Sequence, residues 1–124
     1  MARILVVDDE TVIAQVIRLL LEAEGHEVLI ADDGSRGFAA AQRQAIDLII
    51  LDLMMPVMDG FSVLEALRGT ERTASIPVIV LSARSDDETH LRCEEFGVET
   101  YLQKPFESED LIGAVENLVV SPAP

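Results

Sequence analysis

The sequence has 124 residues, a net charge of −14, 49% hydrophobic residues and only 4% aromatic residues. This length suits a single domain whose core is packed mainly from aliphatic side chains. The negative charge argues against nucleic acid and anionic membrane surfaces as ligands, because both would repel it, and leaves metal cations and basic proteins as natural partners.

The cysteine content and the hydropathy of the sequence bear on the cellular compartment of the protein. Cys93 is the single cysteine, so no internal disulfide can form and nothing indicates an oxidising environment. No apolar run approaches the roughly 18 residues of a membrane span. The apolar run at 3–7 meets Asp8 too early to be a signal peptide, so we expect a cytoplasmic protein.

The first half of the sequence alternates between short apolar runs and stretches of helical periodicity. The apolar runs predict strands at 3–7, 27–31 and 47–51. After the first strand, apolar residues recur at helical spacing from Thr11 until Gly25, which is a typical helix stop. After the second strand, residues 32–35 predict a turn and helix start before a helix of small residues at 38–44.

The second half continues this alternation. The Asp59-Gly60 turn precedes a short helix with one apolar face, and the runs 76–81 and 98–102 predict two further strands. The helix predicted between them, at 86–96, has few apolar residues, so we expect it to be the least firmly docked. Ser108 is expected to cap a last helix, and 121–124 is interpreted as a tail or the start of a linker.

Five strands that alternate with five helices predict one α/β domain at 1–120. The strand runs show no alternation of apolar and polar residues, which is typical of a parallel sheet covered by helices on both faces. Because crossovers between parallel strands are right-handed, the expected fold is a doubly wound, flavodoxin-like sheet of order 2-1-3-4-5. Its switch point, where such sheets bind ligands, lies between the first and third strands.

Charged and hydroxyl side chains follow four of the predicted strands where each strand ends. Asp8 and Asp9 follow the first strand, Asp52 the third, Ser82 the fourth and Lys104 the fifth. Carboxylates that meet at the switch point would repel one another, and a hard cation such as Mg²⁺ relieves this repulsion while leaving places for phosphate oxygens. The sequence therefore predicts a magnesium and phosphoryl site at this edge of the sheet.

The individual groups have complementary chemical roles at such a site. Lys104 offers a positive charge for phosphoryl oxygens, and Ser82 offers a hydroxyl donor. Asp52 lies deepest and can act as a nucleophile that forms an aspartyl phosphate. Because phosphoryl transfer asks a protein mainly for positioning and charge neutralisation, this set of residues is sufficient for it.

Four segments of the chain resemble the receiver domain of two-component response regulators, and together they span essentially the whole sequence. They are ILVVDDE at 4–10, DLIILDLMMPVMDG at 47–60, PVIVLSA at 77–83 and YLQKPF at 101–106. Each segment alone is a weak signal, whereas all four in this order and at this spacing are highly specific.

The resemblance implies a donor and a metal site. Asp52 would accept a phosphoryl group from a phosphohistidine on a sensor histidine kinase or a histidine phosphotransfer protein. Mg²⁺ or Mn²⁺ would be held by Asp8, Asp9 and Asp52, with Asp9 as a direct ligand. The backbone carbonyl of Met54 would be a further metal ligand.

The resemblance also implies a conformational switch. Lys104 would pair with the phosphoryl group, and Ser82 would move to hydrogen-bond it. Tyr101 would turn inward into the space that Ser82 vacates. The peptide bond between Lys104 and Pro105 would be cis.

The helix at 86–96, the fifth strand and the last helix are the expected output face, which would control a downstream protein partner. Acidic residues far outnumber basic ones there, so we expect a basic partner and at most weak dimerisation, with no direct contact to nucleic acid or membrane. Met54 stands two residues after Asp52, where some family members carry a side chain that orients an attacking water. We therefore expect a long-lived phosphoryl group.

Two other functions remain open. A receiver-like interaction module would not use phosphate, and a Mg²⁺-dependent phosphohydrolase would turn over an aspartyl phosphate. The hydrolase is disfavoured because such enzymes usually have a second acid where this chain has Met54, so no enzyme activity is expected beyond the chain's own phosphorylation and dephosphorylation. His26 and His90 are expected to be exposed and idle, with no partner near them in the sequence, and Glu10 is expected to be a first-turn helix charge rather than a ligand.

Overall fold

The computed structural model describes residues 2–55, 58–83, 86–98 and 100–119. The strands are β1 (Arg3–Val7), β2 (Glu27–Ala31), β3 (Leu48–Asp52), β4 (Val78–Ser82) and β5 (Thr100–Gln103). The helices are α1 (Thr11–Ala23), α2 (Gly34–Arg43), α3 (Gly60–Arg68), α4 (Asp87–Glu95) and α5 (Ser108–Val119). The strands form one parallel sheet of order β2-β1-β3-β4-β5, which confirms the predicted doubly wound fold.

The sheet is covered on both faces, which explains why its strands are continuous apolar runs. Alternate residues of β1 and β3, such as Leu5 and Ile49, pack with α2, α3 and α4. The residues between them, such as Ile4 and Ile50, pack with α1 and α5 on the other face. All residues of β3 are buried, so the strand that ends in Asp52 lies at the centre of the core.

The starts of the last two strands differ from the prediction. β4 begins at Val78 rather than at 76, because Pro77 has no N–H to contribute to the sheet. β5 begins at Thr100 rather than at 98, because the Val98 N–H instead donates to the carbonyl of Cys93 and closes the end of α4. Both differences come from local backbone hydrogen bonding that apolar patterning does not reveal.

The helix start predicted at 32–35 is confirmed, because α2 begins at Gly34. The side chain of Asp33 accepts from the amide of Arg36 and caps the first turn. The start of the last helix differs slightly from the prediction. α5 begins at Ser108 itself rather than after it. The predicted tail at 121–124 lies outside the described residues. None of the described helices combines the length and the apolar content that a membrane span requires.

Candidate functional site

The carboxyl ends of the parallel strands bring the predicted side chains to one edge of the sheet. Asp52 is the last residue of β3 and Ser82 the last of β4, and both are buried. Asp8 directly follows β1, and its amide N–H donates to the carbonyl of Ala31, so Asp8 continues the line of the strand. Lys104 follows β5, and its amide N–H donates to the carbonyl of Ser82 at 2.8 Å.

The ammonium group of Lys104 lies between three carboxylates. Its Nζ donates to Asp8 Oδ2 at 3.1 Å, to Glu10 Oε1 at 2.7 Å and to Asp52 Oδ2 at 3.2 Å. The side chains of Asp8 and Asp52 are 0% and 2% exposed, whereas that of Glu10 is 54% exposed. Two buried negative charges therefore share one lysine, and a third carboxylate reaches the same lysine from the rim.

Backbone amides hold the second oxygen of each buried carboxylate. The Glu10 N–H donates to Asp8 Oδ1 at 2.9 Å, and the Met54 N–H donates to Asp52 Oδ1 at 3.0 Å. Each carboxylate thus has one oxygen held by its own loop and the other held by Lys104. The orientation of both side chains is set before any ligand arrives, which is what a site that acts by positioning needs.

A close backbone contact at Gly60 holds the loop that follows Asp52. The Gly60 N–H donates to the carbonyl of Leu53 at 3.1 Å. A Cβ atom at Gly60 would lie 2.5 Å from Leu53 Cα and 2.9 Å from the carbonyl oxygen of Asp52, so only glycine fits there. Asp59 caps α3 by accepting from the amide of Ser62. The predicted Asp-Gly turn therefore brings the start of α3 against the end of β3.

The environment of Asp52 shifts its titration. Burial raises the pKa of Asp52 from 3.8 to about 6, and the charge of Asp8 adds to the rise, while the Met54 amide and Lys104 oppose it. Burial lowers the pKa of Lys104, but the hydrogen bond to Glu10 and the charges of Asp52 and Asp8 outweigh burial and raise the pKa above its usual value. At neutral pH the site therefore contains a mostly ionised Asp52 beside a charged lysine.

The carboxylates form a donor set that suits a divalent cation. One oxygen from each of Asp8, Glu10 and Asp52 lies within 4.8 Å of the other two. Within the described ranges, no other group of three acidic, histidine or cysteine side chains comes this close together. Three negative charges face the single positive charge of Lys104, and hard oxygen ligands are those that Mg²⁺ and Mn²⁺ prefer. The residues therefore fit the predicted ion.

Glu10 lies in this group, although it was predicted to be only a first-turn helix charge. Asp9, predicted as a direct metal ligand, is exposed and lies outside the group. The contact of Glu10 Oε1 with the Nζ atom of Lys104 brings Glu10 beside Asp8 and Asp52. No local signal in the sequence identifies Glu10, because its position depends on how the chain leaves β1. The metal contacts of Asp9 and of the Met54 carbonyl stay predictions.

His90 is exposed, as expected, whereas His26 is half-buried, and neither histidine is idle. The ring of His90 stacks on the half-buried ring of Tyr101, with centroids 3.9 Å apart and 27° between the planes. The Nδ1 atom of half-buried His26 accepts from the amide of Ala2 at 3.1 Å. Each partner is distant in the sequence and becomes a neighbour only when the sheet forms.

Comparison with known proteins identifies the family. The family model of the response regulator receiver domain matches residues 4–116, so the chain belongs to that family. The peptide bond between Lys104 and Pro105 is cis, as the resemblance implied.

Solved structures of other receiver proteins are similar over nearly the whole chain. The chemotaxis protein CheY4 of Vibrio cholerae is 34% identical, with a TM-score of 0.91 over 96% of this chain and 99% of that one. The receiver domain of the sensor histidine kinase PA1611 from Pseudomonas aeruginosa is 32% identical, with a TM-score of 0.88 over 97% of this chain and 98% of that one. Its crystal structure has a magnesium ion coordinated in the active site cleft.

The curated relatives are longer proteins. The DNA-binding dual master transcriptional regulator RpaA of Synechocystis is 41% identical over 119 residues, which are 96% of this chain and 49% of that protein. The transcriptional regulatory protein CpxR of Escherichia coli is 37% identical over 119 residues, which are 96% of this chain and 50% of that protein. The chain thus spans about half the length of the curated relatives it matches, and the similarity concerns that half alone.

Proposed function

We propose that this chain is the phosphoacceptor switch of a two-component phosphorelay, in which Asp52 takes a phosphoryl group from a phosphohistidine. The observation that carries the proposal is the position of Lys104, whose Nζ lies 3.2 Å from Asp52 and 3.1 Å from Asp8 at the carboxyl edge of the sheet. Nothing about folding requires these charges, because well-packed apolar residues would cost less to bury there. Membership of the receiver family supports the same function.

In the proposed transfer, a carboxylate oxygen of Asp52 attacks the phosphorus of the phosphohistidine. The new O–P bond makes an aspartyl phosphate, and the P–N bond breaks with its electron pair going to the imidazole nitrogen of the donor. Asp52 must be ionised to attack, and a pKa of about 6 leaves it mostly ionised at neutral pH. Lys104 would neutralise charge on the phosphoryl oxygens. We infer no turnover beyond this self-modification and its reversal.

A bound Mg²⁺ or Mn²⁺ would supply further positive charge to the phosphoryl oxygens. Asp8, Glu10 and Asp52 are the carboxylates placed to hold it, and Asp9 and the carbonyl of Met54 are the further predicted ligands. The magnesium ion in the cleft of the PA1611 receiver domain, a relative of 32% identity, supports this choice of metal.

We further propose that Ser82 and Tyr101 transmit the state of Asp52 to the surface. Ser82 would hydrogen-bond the phosphoryl group, and Tyr101 would turn inward toward the space that Ser82 leaves. The response would appear on the face formed by α4, β5 and α5. The buried residues of α4 are Thr89 and Cys93, so α4 can shift at little cost in apolar burial.

The proposed partners are a sensor histidine kinase or a histidine phosphotransfer protein upstream and a protein partner or output domain downstream. With a net charge of −14, the chain is expected to bind basic surfaces and to dimerise weakly if at all. Residues 1–120 are proposed to form one receiver domain. The DNA binding named for RpaA belongs to that longer protein.

The test is phosphorylation of the intact chain with Mg²⁺ and a small phosphodonor, followed by intact mass and amide NMR spectra. We expect a single added phosphate that Asp52→Asn abolishes and that Glu71→Gln, a change at an exposed carboxylate, retains. With beryllofluoride, a phosphoryl mimic, amide shifts should spread from Asp52 to Ser82, Tyr101 and α4.

Two other outcomes would each favour a different function. Catalytic release of phosphate from small substrates, without such amide shifts, would favour a phosphohydrolase. The absence of any mass change and of any Mg²⁺-dependent shift would favour an interaction module that does not use phosphate.

A further inference from the structure

We infer that His90 restrains Tyr101 and thereby sets how readily the switch responds, an inference that rests on the proposed function. The two rings stack with their centroids 3.9 Å apart. Stacking of two aromatic rings contributes stabilising free energy in addition to that from the apolar area that the contact buries. His90 lies on α4 and Tyr101 on β5, so the stack joins a weakly anchored helix to the sheet. His90 is a positioning residue, because it acts on the site only through Tyr101.

The strand register places Tyr101 and Ser82 relative to one another. Tyr101 lies opposite Val80, and Gln103 lies opposite Ser82. Side chains two residues apart on a strand share a face, so Ser82 and Val80 lie on the same face of the sheet. Val80 belongs to the core cluster against which Tyr101 packs. On this inference, movement of the Tyr101 ring toward Ser82 stays on this face and ends its contact with the exposed imidazole of His90.

A cleft lies beside the stacked rings. A cavity of about 160 Å³ is lined by His90, Cys93, Glu94 and Tyr101 together with residues that lead into β5. This open space leaves room for the two rings to separate. His90 is exposed, so the contact can break and reform without opening the core.

The stack can be observed directly, because the sequence contains one tyrosine and two histidines. In the Mg²⁺-free full chain, nuclear Overhauser contacts are expected between the imidazole protons of His90 and the ring protons of Tyr101. These contacts should disappear when Mg²⁺ and beryllofluoride saturate the site. Contacts that persist at saturation, or that are missing from the Mg²⁺-free chain, overturn the inference.

The affinity for beryllofluoride in the presence of Mg²⁺ is the second measurement. His90→Ala removes a restraint that opposes the switch, so the apparent affinity should rise about two- to tenfold. His90→Phe keeps an aromatic face and should stay within about twofold of the wild type. Leu91→Ala, a change at the neighbouring exposed residue of α4, should not alter the affinity. Unchanged or weaker binding by His90→Ala overturns the inference.

The wild-type response separates this inference from the proposed function. A wild type that gives no Mg²⁺-dependent response to beryllofluoride contradicts both. A wild type that responds, with His90→Ala responding at the same concentration, contradicts the role of His90 alone and leaves the proposed function standing.

Discussion

At the scale of single residues, Lys104 determines the charge balance of the site. It is the only lysine in the sequence, and it contacts three carboxylates. Asp8 and Asp52 are buried, where charges interact more strongly than at the surface. A change at any of these residues is therefore expected to alter stability as well as chemistry.

Asp52→Asn is expected to raise the free energy of unfolding near neutral pH by about 1–3 kcal/mol without Mg²⁺. Folding raises the pKa of Asp52 from 3.8 to about 6, so the folded state binds more protons than the unfolded state in that window. The protonated form of Asp52 therefore stabilises the folded state, fully below about pH 4, and this stabilisation is lost as the pH rises through about 6. Urea unfolding at both ends of this range measures the effect.

The Asn variant and the wild type should have similar stability at the acidic end of the range. Glu71→Gln, at an exposed carboxylate, should not gain stability at either end. A gain by Asp52→Asn that is the same at both pH values would contradict the assignment of the raised pKa to Asp52.

Gly60→Ala is expected to lower the free energy of unfolding by about 1–3 kcal/mol, because the added methyl group has no room. Its Cβ would lie 2.5 Å from Leu53 Cα, and backbone cannot move aside cheaply. Gly113→Ala, in α5, is the matched control, since nothing lies within 4 Å of that Cβ. It should stabilise by about 0.5–1 kcal/mol through helix propensity. Thermal unfolding of both variants tests the contrast, and equal effects of the two substitutions would refute it.

At the scale of elements, α4 has fewer buried anchors than α3. α3 buries four residues, whereas α4 buries Thr89 and Cys93. The side chain of Asp86 caps the first turn of α4 by accepting from the amide of Thr89 at 2.9 Å. The few apolar anchors of α4 were predicted from its sequence, but its polar attachments were not.

Arg68 attaches the other end of α4 to the body of the domain. From the end of α3, its guanidinium donates to the carbonyls of Phe96 at 2.7 Å and Gly97 at 3.3 Å, just past α4. It also donates to the carbonyls of Ala74 at 3.0 Å and Ile76 at 2.7 Å, before β4. The carboxyl end of α4 is therefore held in place, while its first turn lies near the end of β4.

Arg68→Lys is expected to lower the free energy of unfolding by about 1–3 kcal/mol, because a single ammonium cannot replace a planar guanidinium that reaches several carbonyls. Amide hydrogen exchange should accelerate most at the end of α4, from Phe96 to Val98. Arg72→Lys, at an exposed arginine, is the control and should leave exchange unchanged. Uniform acceleration across the sheet, or none at α4, would show that Arg68 does not act as this attachment.

At the scale of the whole molecule, the net charge of −14 works against the compact state by self-repulsion. The repulsion is concentrated where Asp8, Glu10 and Asp52 approach one another. Cations should therefore act in two separable ways, through general screening by salt and through binding at this cluster.

Mg²⁺ at about ten times its Kd is expected to stabilise the chain by about 1.4 kcal/mol beyond the effect of NaCl at equal ionic strength. Asp8→Asn removes a buried carboxylate of the cluster and should reduce this excess while leaving the response to NaCl. Thermal unfolding in paired salt series measures both responses. An equal rise with the two salts in the wild type would mean that the cluster binds no Mg²⁺.

The sequence by itself determined the elements of this protein and the polar residues at the strand ends. Apolar runs without alternation predicted each strand to within two residues, because burial on both faces leaves a local signature. The same runs placed Asp52, Ser82 and Lys104 at the ends of three strands, and topology rules then brought those ends to one edge. Periodicity and turn residues are properties of short segments, so they can be read without knowing the fold.

Only the tertiary structure decided which distant residues touch. Lys104 reaches Asp8 across 96 residues of sequence, and Glu10 joins them only because of the direction in which the chain leaves β1. The stacking of His90 on Tyr101 depends on how α4 packs against β5. Such contacts depend on the distances and angles between packed elements, and a local pattern of apolar and polar residues does not encode them.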